Sequence, residues 1–460
     1  MLYALGVLIF VVGLLLSIAL HEVGHMVPAK KFGVKVTQYM VGFGPTVWSR
    51  KRGDTEYGLK AVPLGGYIRM IGMVPPRLTG ARSRWPRRIA TAVEDFRQVS
   101  RAEVQPGDEP REFYRLTPGK KMIVMLGGPC MNLLIYLVLM VVLLGTLGRP
   151  QDKLTTTVST VTTCVYPVTA PEAKQASCPT PNSPAALAGL QPGDTVLSVD
   201  GTPIKTWDQL VAIVESSANK TLHVVVQRGG AQKALAMTPV ENVKYANASG
   251  TKTKTAGYLG IAPTDHHYYQ TLGLTGMAGE IGSQINKGVQ ALGSYPQKIG
   301  SLWDTVFHNK PRDVNGAIGV VGIGRLGGDL AQTNKLDLQD KVFSLIGLLA
   351  SVNLLLFFFN LLPLLPLDGG HVAGALVEAA KRGRARLRVR TRIPVGPDGA
   401  AVEGAATDGA AMDGAAAPSR PQIFVDTAQM LPVMYAVASV LILLTLLTLY
   451  ADIVKPVSLG

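Results

Sequence analysis

Residues 1–33, MLYALGVLIFVVGLLLSIALHEVGHMVPAKKFG, join an apolar segment to a polar motif. The first twenty residues carry no charged side chain, which is enough for a helix to cross the apolar core of a bilayer. The motif HEVGH, residues 21–25, follows without a break, although a charged side chain at membrane depth costs several kcal/mol. Ionisable residues in such a place mark functional sites by default, so this motif is the first candidate site.

Three further segments lack charged residues over a membrane-spanning length: Met122–Gly148, Val342–Leu367 and Ala428–Ala451. No basic region precedes the first apolar segment and no small-residue cleavage site follows it, so we do not expect a removable signal peptide. The sequence therefore predicts an α-helical polytopic membrane protein with four transmembrane helices.

Charge distribution predicts the orientation of these helices. The loop from Lys30 to Lys121 holds 19 Lys and Arg against 8 Asp and Glu, whereas the loop from Arg149 to Lys341 holds 17 against 14. Basic residues favour the cytosolic side, so we expect the N-terminus outside the cytosol. Although the net charge is +14, basic clusters beside membrane segments usually contact lipid head groups. We expect contacts with membrane lipid and no nucleic-acid partner.

The two long loops differ in pattern. Residues 41–70 alternate apolar and polar side chains between glycine-rich turns, which predicts one or two β-hairpins beside the membrane. Residues 183–230 predict a small α/β module of helix, strand, longer helix and strand, with turns at Pro192–Asp194 and at Asp200–Gly201. Apolar residues spaced by three and four after Gly279 predict a helix on the membrane surface or on its neighbours.

Cys164 and Cys178 lie fourteen residues apart in the second loop, whereas Cys130 lies in the second apolar segment. An oxidising compartment permits a disulfide between the first two. The sequence leaves open whether that bridge forms, because it does not give the distance between the two α-carbons.

HEVGH has the spacing of a metal site. On a helix, His21 and His25 project from one face and can reach one ion, with Glu22 beside them to polarise a bound water. Two histidines satisfied by neighbouring groups are the alternative. In a membrane helix, metal coordination gives all three polar side chains a partner at once, so we favour the metal site.

A catalytic zinc site usually has three protein ligands and one open position. In the remaining apolar segments, Asp368 in NLLPLLPLDGGH (residues 360–371) is the candidate third ligand, and His371 is its rival. We expect the third apolar helix to run from Val342 to Asp368, so that Asp368 reaches the cytosolic side, where His21 also lies. Asn132 and Asn360 are further polar groups at membrane depth, each either a helix-to-helix hydrogen bond or a substrate contact.

Several linked motifs in this order resemble the bacterial site-2 protease family of membrane-embedded zinc metalloproteases. The motifs are HEVGH, GFG (42–44), TEY (55–57), PLGGY (63–67), GGPCMN (127–132), a PDZ-like AGLQPGD (188–194) and NLLPLLPLDGGH. The proline spacing before LDGG, the insert with Cys164 and Cys178, and an Ala/Gly/Asp-rich linker at 393–421 depart from the family pattern.

The resemblance implies that His21, His25 and Asp368 bind Zn²⁺ and that Glu22 is the general base. It further implies that Asn360 and Asn132 help to hold the substrate. Gly65, Gly66 and Tyr67 are implied to pair with the substrate as an extended strand.

The resemblance also implies the partners of the enzyme. The substrates would be single-span membrane proteins such as anti-sigma factors, and also signal-peptide remnants. An upstream protease would first remove the outer domain of the substrate, and the PDZ-like module would screen substrates by size. The location would be the bacterial inner membrane, with the active site near the cytosolic side.

These inferences divide the chain into nine segments. They are transmembrane helix 1 (1–29), the cytosolic loop with its hairpin (30–121), transmembrane helix 2 (122–148), the extracytoplasmic PDZ-like domain (149–265), an extracytoplasmic helical region (266–341), transmembrane helix 3 (342–371), a cytosolic basic segment and linker (372–427), transmembrane helix 4 (428–451) and an extracytoplasmic tail (452–460).

Two other functions are compatible with parts of this sequence. One is a catalytically silent membrane scaffold acting through its PDZ-like module, and the intact HEVGH and LDGG motifs argue against it. The other is a metal transporter, since His and Asp at membrane depth also mark ion paths. A single site near one face of the membrane offers no route across it.

Overall fold

The computed structural model describes residues 1–77, 85–165, 183–245, 253–308, 310–313, 316–390 and 424–456. The chain forms two compact units, one of residues 1–147 with 272–460 and the other of residues 148–271. The described helices are α1 Leu2–Lys31, α2 Arg87–Ala102, α3 Pro118–Val142, α4 Pro184–Leu187, α5 Trp207–Ser216, α6 Leu274–Gly293, α7 Tyr295–Phe307, α8 Val320–Gln332, α9 Leu338–Asn360, α10 Asp368–Arg390 and α11 Leu431–Val454. The described strands are β1 Val36–Arg52, β2 Thr55–Met70, β3 Arg149–Val161, β4 Thr195–Val199, β5 Thr202–Pro203, β6 Leu222–Arg228, β7 Ala231–Met237, β8 Val240–Tyr245, β9 Thr253–Tyr258 and β10 Ile261–Gln270.

Four of the described helical segments are long and apolar enough to cross a membrane: Leu2–Lys31, Pro118–Leu147, Leu338–Asn360 and Thr427–Val454. The four predicted segments are confirmed as helices of that kind. The second is α3 continued by a π-helical turn to Leu147, and the fourth is α11 preceded by a 3₁₀ turn.

The predicted course of the third segment is wrong in one respect. The helix α9 ends at Asn360 instead of continuing to Asp368, and Asp368 is the first residue of a separate helix, α10. Pro363 and Pro366 lie in the break, where proline cannot donate a backbone hydrogen bond and its ring clashes with the preceding helical turn. The basic segment after residue 372, for which we predicted no helix, is helical as far as Arg390.

The predicted hairpin is confirmed, and its two long strands bend so that they form a wider sheet than a two-stranded hairpin. Strands β1 and β2 are antiparallel. Residues 36–41 pair on one side with residues 66–70, and residues 38–41 pair on the other side with residues 56–59. Each strand is bent by bulges, so the two strands make a sheet four segments wide. Residues 66–70 form one outer edge of that sheet.

The unit of residues 148–271 is an α/β fold. Its main sheet has the order β10-β3-β4-β6-β7, with β5 beside β4, and β8 pairs with β9. The core combines the inward residues of these strands with the α5 side chains Trp207, Leu210 and Val214. The predicted hairpin turn at Asp200–Gly201 is confirmed, since both residues have positive φ between β4 and β5.

The predicted boundary between the PDZ-like domain and the helical region differs from the observed end of this unit. The predicted domain ended at residue 265, which falls inside β10, so residues 266–270 are strand rather than the start of a helical region. That helical region is α6, α7 and α8.

Two predictions fall outside the described residues. The predicted disulfide involves Cys178, and the predicted linker covers residues 393–421.

Candidate metal centre and active site

Three predicted side chains converge at one point. His21 and His25 lie one turn apart on α1, and Asp368 begins α10. The Nε2 atoms of the two histidines are 3.2 Å apart. Asp368 Oδ2 lies 3.4 Å from His21 Nε2 and 3.3 Å from His25 Nε2. Among the described residues, these three form the one group of histidine, cysteine and acidic side chains close enough to share a metal ion.

The geometry of this triangle fits zinc. Zinc bonds of about 2.0–2.1 Å in a tetrahedron place the ligand atoms about 3.3–3.4 Å from one another. The three observed separations are 3.2, 3.3 and 3.4 Å. Asp368 Oδ2 is buried and accepts no hydrogen bond from the described residues. A buried carboxylate oxygen without a donor is costly, and a cation removes that cost.

Glu22 lies beside these three side chains. Its side chain is only 8% exposed. It lines a cavity of about 330 Å³ together with His21, His25 and Asp368. Asn360 and His371 lie in the wall of the same cavity. The motif therefore places its acid next to the proposed ion and in contact with a space that a substrate can enter.

His371 was the rival third ligand. It lines the cavity but is not a member of the close group formed by His21, His25 and Asp368. Because the carboxylate at the start of α10 reaches both histidines, the geometry favours Asp368.

The hairpin forms another wall of the cavity. Gly66 and Tyr67 of β2 line it, whereas Gly65 lies next to it with a φ of 122°, a backbone conformation that side chains disfavour. A Cβ added at Gly66 would lie 3.1 Å from Glu22 Cγ. Tyr39 of β1 donates a hydrogen bond to the carbonyl of Ala19 at 2.8 Å, which holds the sheet against α1.

A close crossing of α1 and α3 completes the site, and the sequence analysis did not foresee it. A Cβ at Gly24 would collide with the backbone carbonyl of Gly127, and one at Gly127 would collide with that of Gly24. The next residue, Gly128, faces the rings of both His21 and His25. Small residues allow helices in membranes to approach closely, so the pair of glycines in GGPCMN was the available signal.

Asn132 of α3 is placed differently from Asn360. Its amide nitrogen lies 3.1 Å from His21 Nδ1, whereas His21 Nε2 is the atom that faces His25 and Asp368. His25 has a corresponding partner, because its Nδ1 lies 2.8 Å from the carbonyl oxygen of Val124. The structure thus brings Asn132 to His21 and Asn360 to the wall of the cavity.

A buried ion cluster fixes the helix that carries Asp368. Glu378 of α10 accepts from Lys121 of α3 at 2.7 Å and pairs with Arg382 at 2.7 Å. Glu378 is 2% exposed and Lys121 is 7% exposed. Removing one partner of such a pair leaves a buried charge uncompensated. The cluster therefore holds α10 against α3 ten residues after Asp368, a contact that the spacing of 257 residues hid from sequence analysis.

Comparison with known proteins agrees with this site. The model of peptidase family M50 matches residues 9–394. The chain is 33% identical over 470 residues to the zinc metalloprotease Rip1 of Mycobacterium tuberculosis, with 100% of both chains covered. It is 30% identical to Rip1 of Mycolicibacterium smegmatis over 473 residues, again covering both chains fully. It is 25% identical over 414 residues to the zinc metalloprotease RasP of Geobacillus kaustophilus, covering 78% of this chain and 86% of the relative.

These relationships favour the zinc protease over the scaffold and the transporter. The family match includes HEVGH, the hairpin, the α1–α3 crossing and LDGG. The chain therefore belongs to peptidase family M50, the site-2 proteases, and is an intramembrane zinc metalloprotease.

Proposed function

We propose that His21, His25 and Asp368 hold the zinc ion and that Glu22 is the general base for hydrolysis of a peptide bond within the membrane. The observation that carries this proposal is the triangle of ligand atoms, with sides of 3.2–3.4 Å and a buried Asp368 oxygen that lacks a donor. When bound, zinc lowers the pKa of water toward 7 and polarises a carbonyl.

The residues of the chain then have distinct tasks. The Glu22 carboxylate takes a proton from the attacking water and delivers it to the amide nitrogen that leaves, which is the usual sequence for a general base that later acts as an acid. The side-chain amide of Asn360 lies in the cavity wall, where it can hold a carbonyl of the substrate.

The hairpin supplies a place for unwound substrate. A helical substrate hides its peptide bonds, and an extended segment can add to a free sheet edge through backbone hydrogen bonds. Residues 66–70 of β2 pair with β1 on one side, and no described strand pairs with their other side. This free edge, with Gly66 and Tyr67 at the cavity, supports pairing of the substrate next to Glu22.

The charge pattern supports one orientation in the membrane. The hairpin loop is strongly basic, which supports a cytosolic location for it and an extracytoplasmic N-terminus in the bacterial inner membrane. The unit of residues 148–271 then lies on the extracytoplasmic side. We propose that it is PDZ-like, supported by the helix α5 beside β9 and by a cavity of about 320 Å³ between them.

The proposed substrates are single-span membrane proteins, among them anti-sigma factors and signal-peptide remnants. An upstream protease would remove the outer domain of each, and the PDZ-like unit would exclude substrates that still carry one. The family relationship and the cavity that opens next to an unpaired strand edge support this substrate class.

The test compares the wild-type protein with Glu22→Gln in detergent, using a tagged single-span substrate that lacks its outer domain. We expect Glu22→Gln to lose cleavage by at least about 100-fold, within the range that general-base catalysis contributes, while it stays folded and retains zinc. The matched control is Glu241→Gln, because Glu241 is an exposed acid on β8, far along the chain from the site. Cleavage by Glu22→Gln at the wild-type rate would refute the role of this base.

A further inference from the structure

The three residues of α3 that meet HEVGH lie along one face of the helix. Val124, Gly128 and Asn132 are spaced by four residues, so they lie one above another on a single face. The carbonyl of Val124 meets His25 Nδ1 at 2.8 Å and the amide of Asn132 meets His21 Nδ1 at 3.1 Å. Gly128 lies between these contacts, with no side chain to separate the helices. Each histidine therefore has its own partner on α3.

The partner of His25 fixes the tautomer of that ring. A backbone carbonyl can only accept, so the 2.8 Å contact with Val124 places the hydrogen on Nδ1 of His25. The backbone N–H of Gly128 also approaches this Nδ1, but at 3.4 Å it is the weaker of the two contacts. The lone pair is then on Nε2, which is the atom that faces His21 Nε2 and Asp368 Oδ2. His25 is thus set up as a metal ligand before any ion binds.

His21 needs the same arrangement, and Asn132 is the group that can supply it. If His21 binds through Nε2, its Nδ1 carries a hydrogen that requires an acceptor. Asn132 is 1% exposed, and its Oδ1 atom is buried without a hydrogen bond in the described residues. The oxygen and nitrogen of an asparagine amide are assigned from their surroundings. A half-turn of this amide brings Oδ1 to His21 Nδ1 and gives the unpaired oxygen a donor.

We propose that Asn132 is a positioning residue that accepts a hydrogen bond from His21 Nδ1 and so presents His21 Nε2 to the metal ion. The inference rests on the proposed ligation by His21, His25 and Asp368. It assigns Asn132 to the metal centre rather than to the substrate, which was the role implied by the resemblance. Outer-shell partners of metal-bound histidines orient the ring and raise its basicity as a ligand.

The test measures zinc affinity of the full-length protein in detergent, by competition with a chelator, for four variants. Asn132→Leu and the smaller Asn132→Ala remove the acceptor, and we expect both to weaken zinc binding about 10–100-fold. Asn132→Asp keeps an acceptor oxygen in place and should retain most of the affinity. Asn353→Leu is the matched control, since Asn353 is a fully buried asparagine of α9 that bonds Ser17 rather than a histidine.

The outcomes separate this inference from the proposed metal site. Loss of affinity in Asn132→Ala with rescue in Asn132→Asp, and wild-type affinity in Asn353→Leu, would establish the positioning role. Wild-type affinity in Asn132→Ala together with a raised KM for the substrate would overturn it and assign Asn132 to substrate binding. Failure of Asn132→Asp to restore affinity would also overturn it.

The ligand set has its own control. His25→Ala should lose zinc, and retention of wild-type zinc affinity by that variant would overturn the proposed ligation itself. Loss of zinc in His25→Ala but not in Asn132→Ala would leave the ligation intact and remove only the role of Asn132. If Asn132→Leu does not fold, the comparison of Asn132→Ala with Asn132→Asp still decides the question.

Discussion

The metal centre and the unit of residues 148–271 are built on opposite principles. The metal centre buries His25, Glu22 and Asn132, polar side chains that would destabilise an ordinary core. The other unit has a core of apolar side chains from its strands and α5. Polar groups held in fixed places should control chemistry with little effect on the other unit, whereas apolar burial should control stability with little effect on chemistry.

The largest expected effect comes from one methyl group at the α1–α3 crossing. A Cβ at Gly128 would overlap the imidazoles of His21 and His25. Displacing ligands by about 1 Å costs on the order of 100-fold in activity, so Gly128→Ala should lose cleavage by that factor and bind zinc more weakly. The measurements are zinc retained after dialysis and the rate of substrate cleavage.

A variant on the same helix provides the control. Gly119→Ala adds a methyl group where no atom lies within 4 Å, so it should leave zinc content and cleavage unchanged. Hydrogen exchange in residues 148–271 should be unchanged in both variants. Wild-type zinc content and activity in Gly128→Ala would contradict the close packing that the site requires.

An intermediate effect is expected in the apolar core. Leu210 of α5 is 1% exposed, and Leu210→Ala should destabilise the unit of residues 148–271 by about 2–5 kcal/mol, the range for large-to-small changes in cores. Hydrogen–deuterium exchange of the full-length protein measures this as faster exchange in that unit. Zinc affinity should stay at the wild-type value.

Leu187→Ala is the control for burial, because Leu187 lies in the same unit but is 70% exposed. It should change exchange rates little. If Leu210→Ala also lost zinc, the independence of the two regions would be wrong.

The smallest expected effect concerns an ion pair of the same unit, between the buried Asp194 and the partly exposed Arg228, and it depends on pH. Arg228 donates to both carboxylate oxygens of Asp194 at 2.6 Å, and these hydrogen bonds hold the pKa of Asp194 below its usual value. An Asp with a lowered folded-state pKa stabilises the fold above its unfolded pKa of about 3.9, and this contribution is lost as the pH falls through the folded-state pKa.

Asp194→Asn should therefore exchange faster than wild type at pH 7 in residues 148–271, with a difference that shrinks as the pH drops below about 4. Thermal unfolding followed at pH 7 and pH 3 gives an independent measurement. A difference that grows at acid pH would mean that the stabilising form of the pair is not the ionised one.

Much of the architecture was predictable because it depends on neighbours in sequence. Uncharged segments of membrane-spanning length predicted four helices, and alternation of apolar and polar residues predicted a β-hairpin beside the membrane. The composition of residues 361–367 did not show that proline would separate α9 from α10, because proline can bend a helix or end it. The helix α2 and the ion cluster at Glu378 were also missed.

The candidate site likewise combines features that the sequence predicted with features that it did not. The sequence placed His21 and His25 on one helical face with Glu22 beside them, since a helix repeats every 3.6 residues and this is a local property. Asp368 followed as the remaining acid in an apolar segment. The sequence left His371 open as its rival, and that choice depended on which side chain reaches both histidines.

The sequence alone therefore predicted a membrane protein with the motif His21, Glu22 and His25 on one helix and with Asp368 as a candidate partner from another segment. The fold established how those groups meet: Gly24 and Gly127 bring α1 against α3, and that contact sets Asn132 against His21. The physical reason is the separation along the chain over which each interaction acts. Hydrophobic length and helical spacing act between residues a few positions apart, whereas the partner of His21 lies 111 residues away and is chosen by the packing of two helices.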